Sequence, residues 1–111
     1  MAVIGSSPFG SRTRTRALVA LRLLGETYPR QLARLLEAPL SSVQKALAGL
    51  ERDGVVAGRT VGRLRLYGLS PRYFARNELS RYLDRLTEAE RELVERLAGL
   101  RRRPRRTGKR L

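Results

Sequence analysis

Apolar positions along the chain recur first at helical intervals, then at strand-like intervals, then at helical intervals again. Ala17, Leu18, Leu21 and Leu24 lie on one side of a predicted first helix, which Ser11 can cap and Gly25 can end in the left-handed conformation. Thr27-Tyr28 leads to Pro29, whose missing N–H costs nothing at a first helical position, so a short second helix is expected from about Pro29 to Leu36. After the turn Glu37-Ala38, Pro39 can open a third helix over 39–53, with Leu40, Val43, Leu47 and Leu50 on one face and Gly54 as its stop.

From Val55 the period shortens. Val55-Val56-Ala57 and the alternation of Leu64 and Leu66 with Arg63 and Arg65, ahead of Tyr67 and Leu69, predict two strands joined by a turn near Val61-Gly62. Ser70-Pro71 then reads as an N-cap and first position of a fourth helix with Tyr73, Phe74, Leu79, Tyr82, Leu83 and Leu86 as apolar members. Thr87-Glu88-Ala89-Glu90 spells a capping box, which predicts a fresh helix start. Yet Leu79, Leu83, Leu86, Leu93, Leu97 and Leu100 also form a heptad-like seam running straight through it, so a break at Thr87 and one long helix both stay open. That seam either packs on its own domain or joins two copies, and a two-fold dimer is the commonest oligomer.

The expected fold is mainly α with a small β-hairpin. Residues 1–10 form an arm, 11–71 the compact domain, 72–100 a C-terminal helix or helices suited to dimerisation, and 101–111 a basic tail too poor in apolar residues to order itself. No internal repeat is visible.

Charge changes the picture from fold to partner. The chain has 24 Lys+Arg against 10 Asp+Glu, a net +14 that attracts polyanions and speeds their association, so nucleic acid is the first candidate partner. The charge is uneven: residues 1–71 carry 11 basic and 4 acidic side chains, 72–100 carry 6 and 6, and 101–111 carry 7 and 0. The balanced middle block suits contact with protein rather than DNA. There is no Cys and no His, which removes disulfides, thiolates, imidazole bases and the usual transition-metal ligands. Glu88, Glu90, Glu92 and Glu95 alternate with Arg91 and Arg96 and read as a solvated helix face, not an acid/base pair. No enzyme activity, cofactor or metal is therefore expected. No apolar run approaches the roughly 20 residues of a membrane-spanning helix. The opening MAVIGSSPFG has no charged and apolar regions of a signal peptide, so a cytoplasmic, nucleoid-associated protein is expected with no membrane partner.

Two helices joined by a short turn, the second with a polar outer face, make a helix-turn-helix unit whose later helix can enter the major groove of double-stranded DNA. With Val43, Leu47 and Leu50 turned to the core, Ser41, Lys45, Ala48 and Arg52 face outward, flanked by Ser42, Gln44 and Gly49. Ser41, Ser42, Gln44 and Lys45 are the candidates for base contacts, since Gln can pair bidentately with adenine and Lys can reach guanine acceptors. Ala48 and Gly49 leave the helix slim where it would meet the groove wall. Arg59, Arg63 and Arg65 flank the hairpin turn and suit the phosphate backbone or the minor groove, and Arg12, Arg14 and Arg30 add backbone candidates. Each cation taken alone is equally consistent with a solvated surface.

The block Gln31-Leu-Ala-Arg-Leu-Leu36, Leu40-Ser-Ser-Val-Gln-Lys-Ala-Leu47, Leu50-Glu-Arg-Asp-Gly-Val-Val56 resembles winged-helix regulators of the ArsR/MarR type. Their pattern runs E-L-A through a turn to S-x-V-S-x-x-L-x-x-L-E-x-x-G-L-V. The hairpin end Gly62-Arg63-Leu-Arg-Leu-Tyr67-Gly-Leu69 looks like the wing of those proteins, and Phe9-Gly10-Ser11-Arg-Thr-Arg14 is similar to the first-helix start of one bacterial and archaeal branch. The resemblance spans about residues 9–71. It implies a winged helix-turn-helix fold with a C-terminal helical extension, dimeric binding to DNA, and repression of transcription. The chain departs from the pattern at Glu37, where Gly is frequent, and at Pro39, where Ser precedes the recognition helix; the metal-sensing Cys and His of many ArsR relatives are absent. Two other functions fit the same residues: an architectural protein that coats DNA without reading sequence, driven by net charge and tail, and a winged-helix module that binds protein or RNA.

Overall fold

A computed structural model describes residues 9–102, apart from the side chains of 92, 97, 100, 101 and 102. Most of the expected N-terminal arm, residues 103–111 of the basic tail, and the Leu97 and Leu100 side chains therefore lie outside the described residues.

Helix α1 (Arg12–Leu24) starts at Ser11, which is extended and accepts a hydrogen bond from the Arg14 N–H at 3.1 Å; it ends at Gly25, whose φ is +92°. Ala17, Leu18, Val19, Ala20 and Leu21 are all buried, more than one stripe, because α1 is the element the other helices pack around. Strand β1 (Glu26–Thr27) follows, then α2 (Pro29–Leu36) with Pro29 in its first turn, and α3 (Leu40–Arg52), for which Pro39 is the extended N-cap. Val43, Ala46, Leu47 and Leu50 bury the inner side of α3 against α1 and α2.

Strands β2 (Val56–Val61) and β3 (Leu64–Leu69) form the expected hairpin, paired from Val56–Leu69 to Val61–Leu64. Gly62, at φ +62°, takes the first position of the two-residue turn and Arg63 the second, the pattern of a type II′ turn. β1 joins the other edge of β3, so the sheet is antiparallel in the order β1-β3-β2. The sequence gives no expectation of β1: two residues are too few to show an alternation.

Helix α4 (Arg76–Thr87) begins later than expected. The Ser70 hydroxyl accepts from the Arg72 N–H at 3.2 Å, and turn bonds from Tyr73 to Ser70 and from Arg76 to Tyr73 occupy the backbone that a helix from Pro71 would need. Phe74 accordingly sits before the helix, 90% exposed, and is not one of its core members. The two arrangements left open at Thr87 are decided in favour of a break, with α5 (Arg91–Arg102) as a separate helix. Thr87 does not cap it, since its hydroxyl donates to the Leu83 carbonyl at 2.8 Å. Glu90 turns inward instead and pairs with Arg16 of α1 at 3.4 Å, with both side chains nearly buried. Leu79, Leu83, Leu86 and Leu93 all join the chain's own core, with α4 and α5 packed on α1. Their surface is thus covered from within the protomer.

Candidate nucleic-acid interface

The inner anchoring of α3 decides what its other side presents. Ser41, Gln44, Lys45, Ala48 and Arg52 are exposed, and Ser42 is half-buried at the edge of a groove between α3 and the start of α1. Arg14, Lys45, Ser11 and Thr13 share that groove. None of Ser41, Ser42, Gln44 and Lys45 has a side-chain partner among the described residues. Their donors and acceptors stand unengaged on the N-terminal half of one helix. Gly49 differs from expectation: it is buried against α1, not turned to a groove wall. Arg14 lies across it so closely that a Cβ there would collide with the guanidinium, which reaches the Phe9 carbonyl at 3.4 Å and Asp53 at 3.6 Å.

The hairpin arranges its arginines by strand alternation. Thr60 and Arg65 sit opposite each other, as do Arg59 and Leu66, so Arg65 and Arg59 project from opposite faces. On the face toward α3, Arg65 donates to Glu51 at 2.8 Å and lies over the Tyr67 ring at 5.5 Å. Gly58 makes room for it, since a Cβ there would stand 2.8 Å from the guanidinium. On the outer face, Arg59 forms a two-pronged bond with Glu26 at 2.9 and 2.8 Å. Glu26 and Ala57 both stand opposite Gly68, which has no side chain to separate the pair. The hydrogen bonds from Arg59 hold the Glu26 carboxyl below the ordinary glutamate range.

Arg63 is exposed at the hairpin tip without a side-chain partner among the described residues, between Val61 and Leu64, which are 45% and 48% exposed. Arg12 and Arg30 are likewise exposed and unpaired among the described residues, at the first turns of α1 and α2. The six candidate backbone arginines therefore divide: Arg12, Arg30 and Arg63 are uncommitted, while Arg14, Arg59 and Arg65 are tied to Asp53, Glu26 and Glu51. Those acids were not singled out by sequence, because no periodicity links Glu26 to Arg59 or Glu51 to Arg65. The exposed apolar pair beside Arg63 was also missed, although its positions on either side of the turn could have shown it.

No protein-family model and no curated protein matches the chain. Solved structures do. The adhesin competence repressor AdcR from Streptococcus pyogenes superposes with a TM-score of 0.61 at 18% identity, over 78% of this chain and 64% of that one. Reduced HlyU from Vibrio cholerae superposes with a TM-score of 0.53 at 28% identity, over 68% of this chain and 76% of that one. The chain has a winged helix-turn-helix fold. In that frame α2 and α3 are the helix-turn-helix pair and β2–β3 is the wing. This chain thus spans just under two thirds of the AdcR length. No helix among the described residues is long and apolar enough to cross a membrane.

Proposed function

We propose that this protein is a sequence-specific DNA-binding regulator of transcription, acting as a repressor and without enzymatic activity. The observation that carries the proposal is the outward face of α3, where Ser41, Gln44 and Lys45 are exposed and uncommitted on a helix whose other side is fixed in the core. In the major groove, Gln44 and Lys45 meet base edges and Ser41 and Ser42 meet bases or phosphates. Arg63 carries the wing onto the backbone or into the adjacent minor groove, and Arg12 and Arg30 add phosphate contacts. The net charge of +14 supports a polyanionic partner, and the name of AdcR as a repressor supports the direction of control. Such a protein works in the cytoplasm, on the nucleoid.

Two copies would bind half-sites about 34 Å apart, one turn of DNA. Since Leu79, Leu83, Leu86 and Leu93 fill the protomer's own core, pairing uses the outer side of α4 and α5, where acidic and basic residues balance. The charge of the tail favours a second reading, a DNA-coating protein without sequence preference. Selection of bound fragments from genomic DNA at fixed salt, with the full chain and with residues 101–111 removed, separates the two. A regulator enriches the same fragments with and without the tail. Loss of nearly all binding on truncation, with no enriched sequence, rejects the regulator.

A further inference from the structure

The last four carbonyls of a helix lack partners within it, and in α2 each of the four finds one. The Glu37 N–H donates to Ala33 and Arg34, and the Ala38 N–H to Ala33 at 3.0 Å. The remaining two are taken by arginines from distant helices. Arg16 of α1 donates to the Leu36 carbonyl at 3.2 Å, and Arg96 of α5 donates to the Leu35 carbonyl at 2.9 Å. Each arginine also holds an acid. Arg16 stands 3.4 Å from Glu90, at the α4–α5 break, and Arg96 stands 3.0 Å from Glu37. Glu37 is the one non-glycine among the described residues with positive φ, at +53°, a backbone that L side chains rarely adopt. It occupies the turn from which α3 departs, three residues before Leu40.

We propose that Arg96, seconded by Arg16, is a positioning residue for the recognition helix: it clamps the helix-turn-helix turn to α5 and holds Glu37 in its left-handed conformation. The C-terminal helix then sets how α3 is presented. The clamp deepens the DNA-binding proposal and rests on it for its functional consequence, but not for its structural one.

Hydrogen exchange on the full chain tests it, comparing the Ala38 amide at the turn with the Val19 amide inside α1. Arg96→Gln is expected to speed exchange at Ala38 at least tenfold while Val19 stays within about twofold, and to weaken binding to the fragments selected by the wild-type chain by a similar factor. Arg91→Gln removes the same charge from an exposed position of the same helix and should change neither. Arg96→Lys, with a single ammonium for two acceptors, should fall between. Glu37→Gly in the Arg96→Gln background should restore slow exchange at Ala38, because glycine takes the left-handed conformation unaided. Unchanged Ala38 exchange in Arg96→Gln overturns the clamp. So does a rise shared equally by Val19 in both Arg96 variants that Glu37→Gly does not reverse. If the wild-type chain selects no DNA, the regulator proposal fails alone, and the exchange results still decide the clamp.

Discussion

The outer face of α3 and the wing both carry polar and cationic side chains toward the same solvent, yet the fold treats them differently. On α3, Ser41, Gln44 and Lys45 have no side-chain partner among the described residues. On the wing, Arg59 is bound to Glu26 of β1 and Arg65 to Glu51 of α3, from opposite faces of the hairpin. A two-stranded hairpin is marginal on its own, and these pairs tie it to the sheet edge on one side and to α3 on the other. The wing is braced by most of its own cations, leaving Arg63 at the tip for a partner, whereas α3 is held by its core and can leave its polar groups open.

The largest effect should come from breaking what frees that face. Leu47→Ala removes a fully buried side chain from the inner side of α3 and should lower unfolding stability by about 2–5 kcal/mol in urea titration. Gln44→Ala, three residues earlier on the exposed side, should stay within about 0.5 kcal/mol. Comparable losses from the two would mean that the outer face is structural, and the contrast with the wing would collapse.

Next in size is base reading. Under the proposed function, Gln44→Ala and Lys45→Ala should each cost about 1–3 kcal/mol on selected fragments, roughly five- to 150-fold in affinity, with little change on random duplex. Competition binding with matched and scrambled duplexes measures the difference. If both variants weaken the two duplexes alike, α3 makes only sequence-independent contacts.

The wing predicts smaller and sequence-independent effects. Arg63→Ala should reduce affinity by the same factor on every duplex and make the slope of log affinity against log salt shallower by about 0.9. Arg59→Ala should do less, because Arg59 must leave Glu26 before it can meet a phosphate. Titrating the three proteins across salt concentrations ranks them. A larger slope change for Arg59→Ala than for Arg63→Ala would show that the Glu26 pair opens readily on DNA.

What the sequence made legible follows from the range of the forces involved. Caps and stops are local, so Ser11, Gly25, Pro29 and the Gly62 turn could be placed from neighbouring residues, and the inner face of α3 followed from its period. The hidden features depend on residues far apart. Glu26 meets Arg59 only because β1 and β2 flank the same strand, and Gln44 and Lys45 are distinguished from Arg65 only once Glu51 is seen to take Arg65. The leucine seam shows the same limit. Its spacing identifies an apolar face, but only the fold shows that α1 covers Leu79, Leu83, Leu86 and Leu93, and only α1 explains why Glu90, the polar residue interrupting that seam, turns inward toward Arg16. At Ser70 the local signal was ambiguous, since the same hydroxyl that can cap a helix can also close a turn, and here it closes the turn.

The smallest effect concerns acid. Glu26 titrates below the ordinary glutamate range because Arg59 donates to it, so its folded pKa is depressed relative to the unfolded chain. A group shifted in that direction contributes stability that is present above its unfolded pKa and is lost as pH falls through the folded value. The loss therefore lies in the acid range, below that of ordinary glutamates, and leaves neutral pH untouched. Carbon-detected NMR titration of the side-chain carboxyls should place the Glu26 midpoint below the ordinary glutamate range. In Arg59→Ala the Glu26 midpoint should return toward the ordinary range, while Asp84, held low by its own pair with Arg22, should stay where it is. If Glu26 keeps its low midpoint without Arg59, the outer-face brace is not what holds it, and the wing would be as uncommitted on that face as α3.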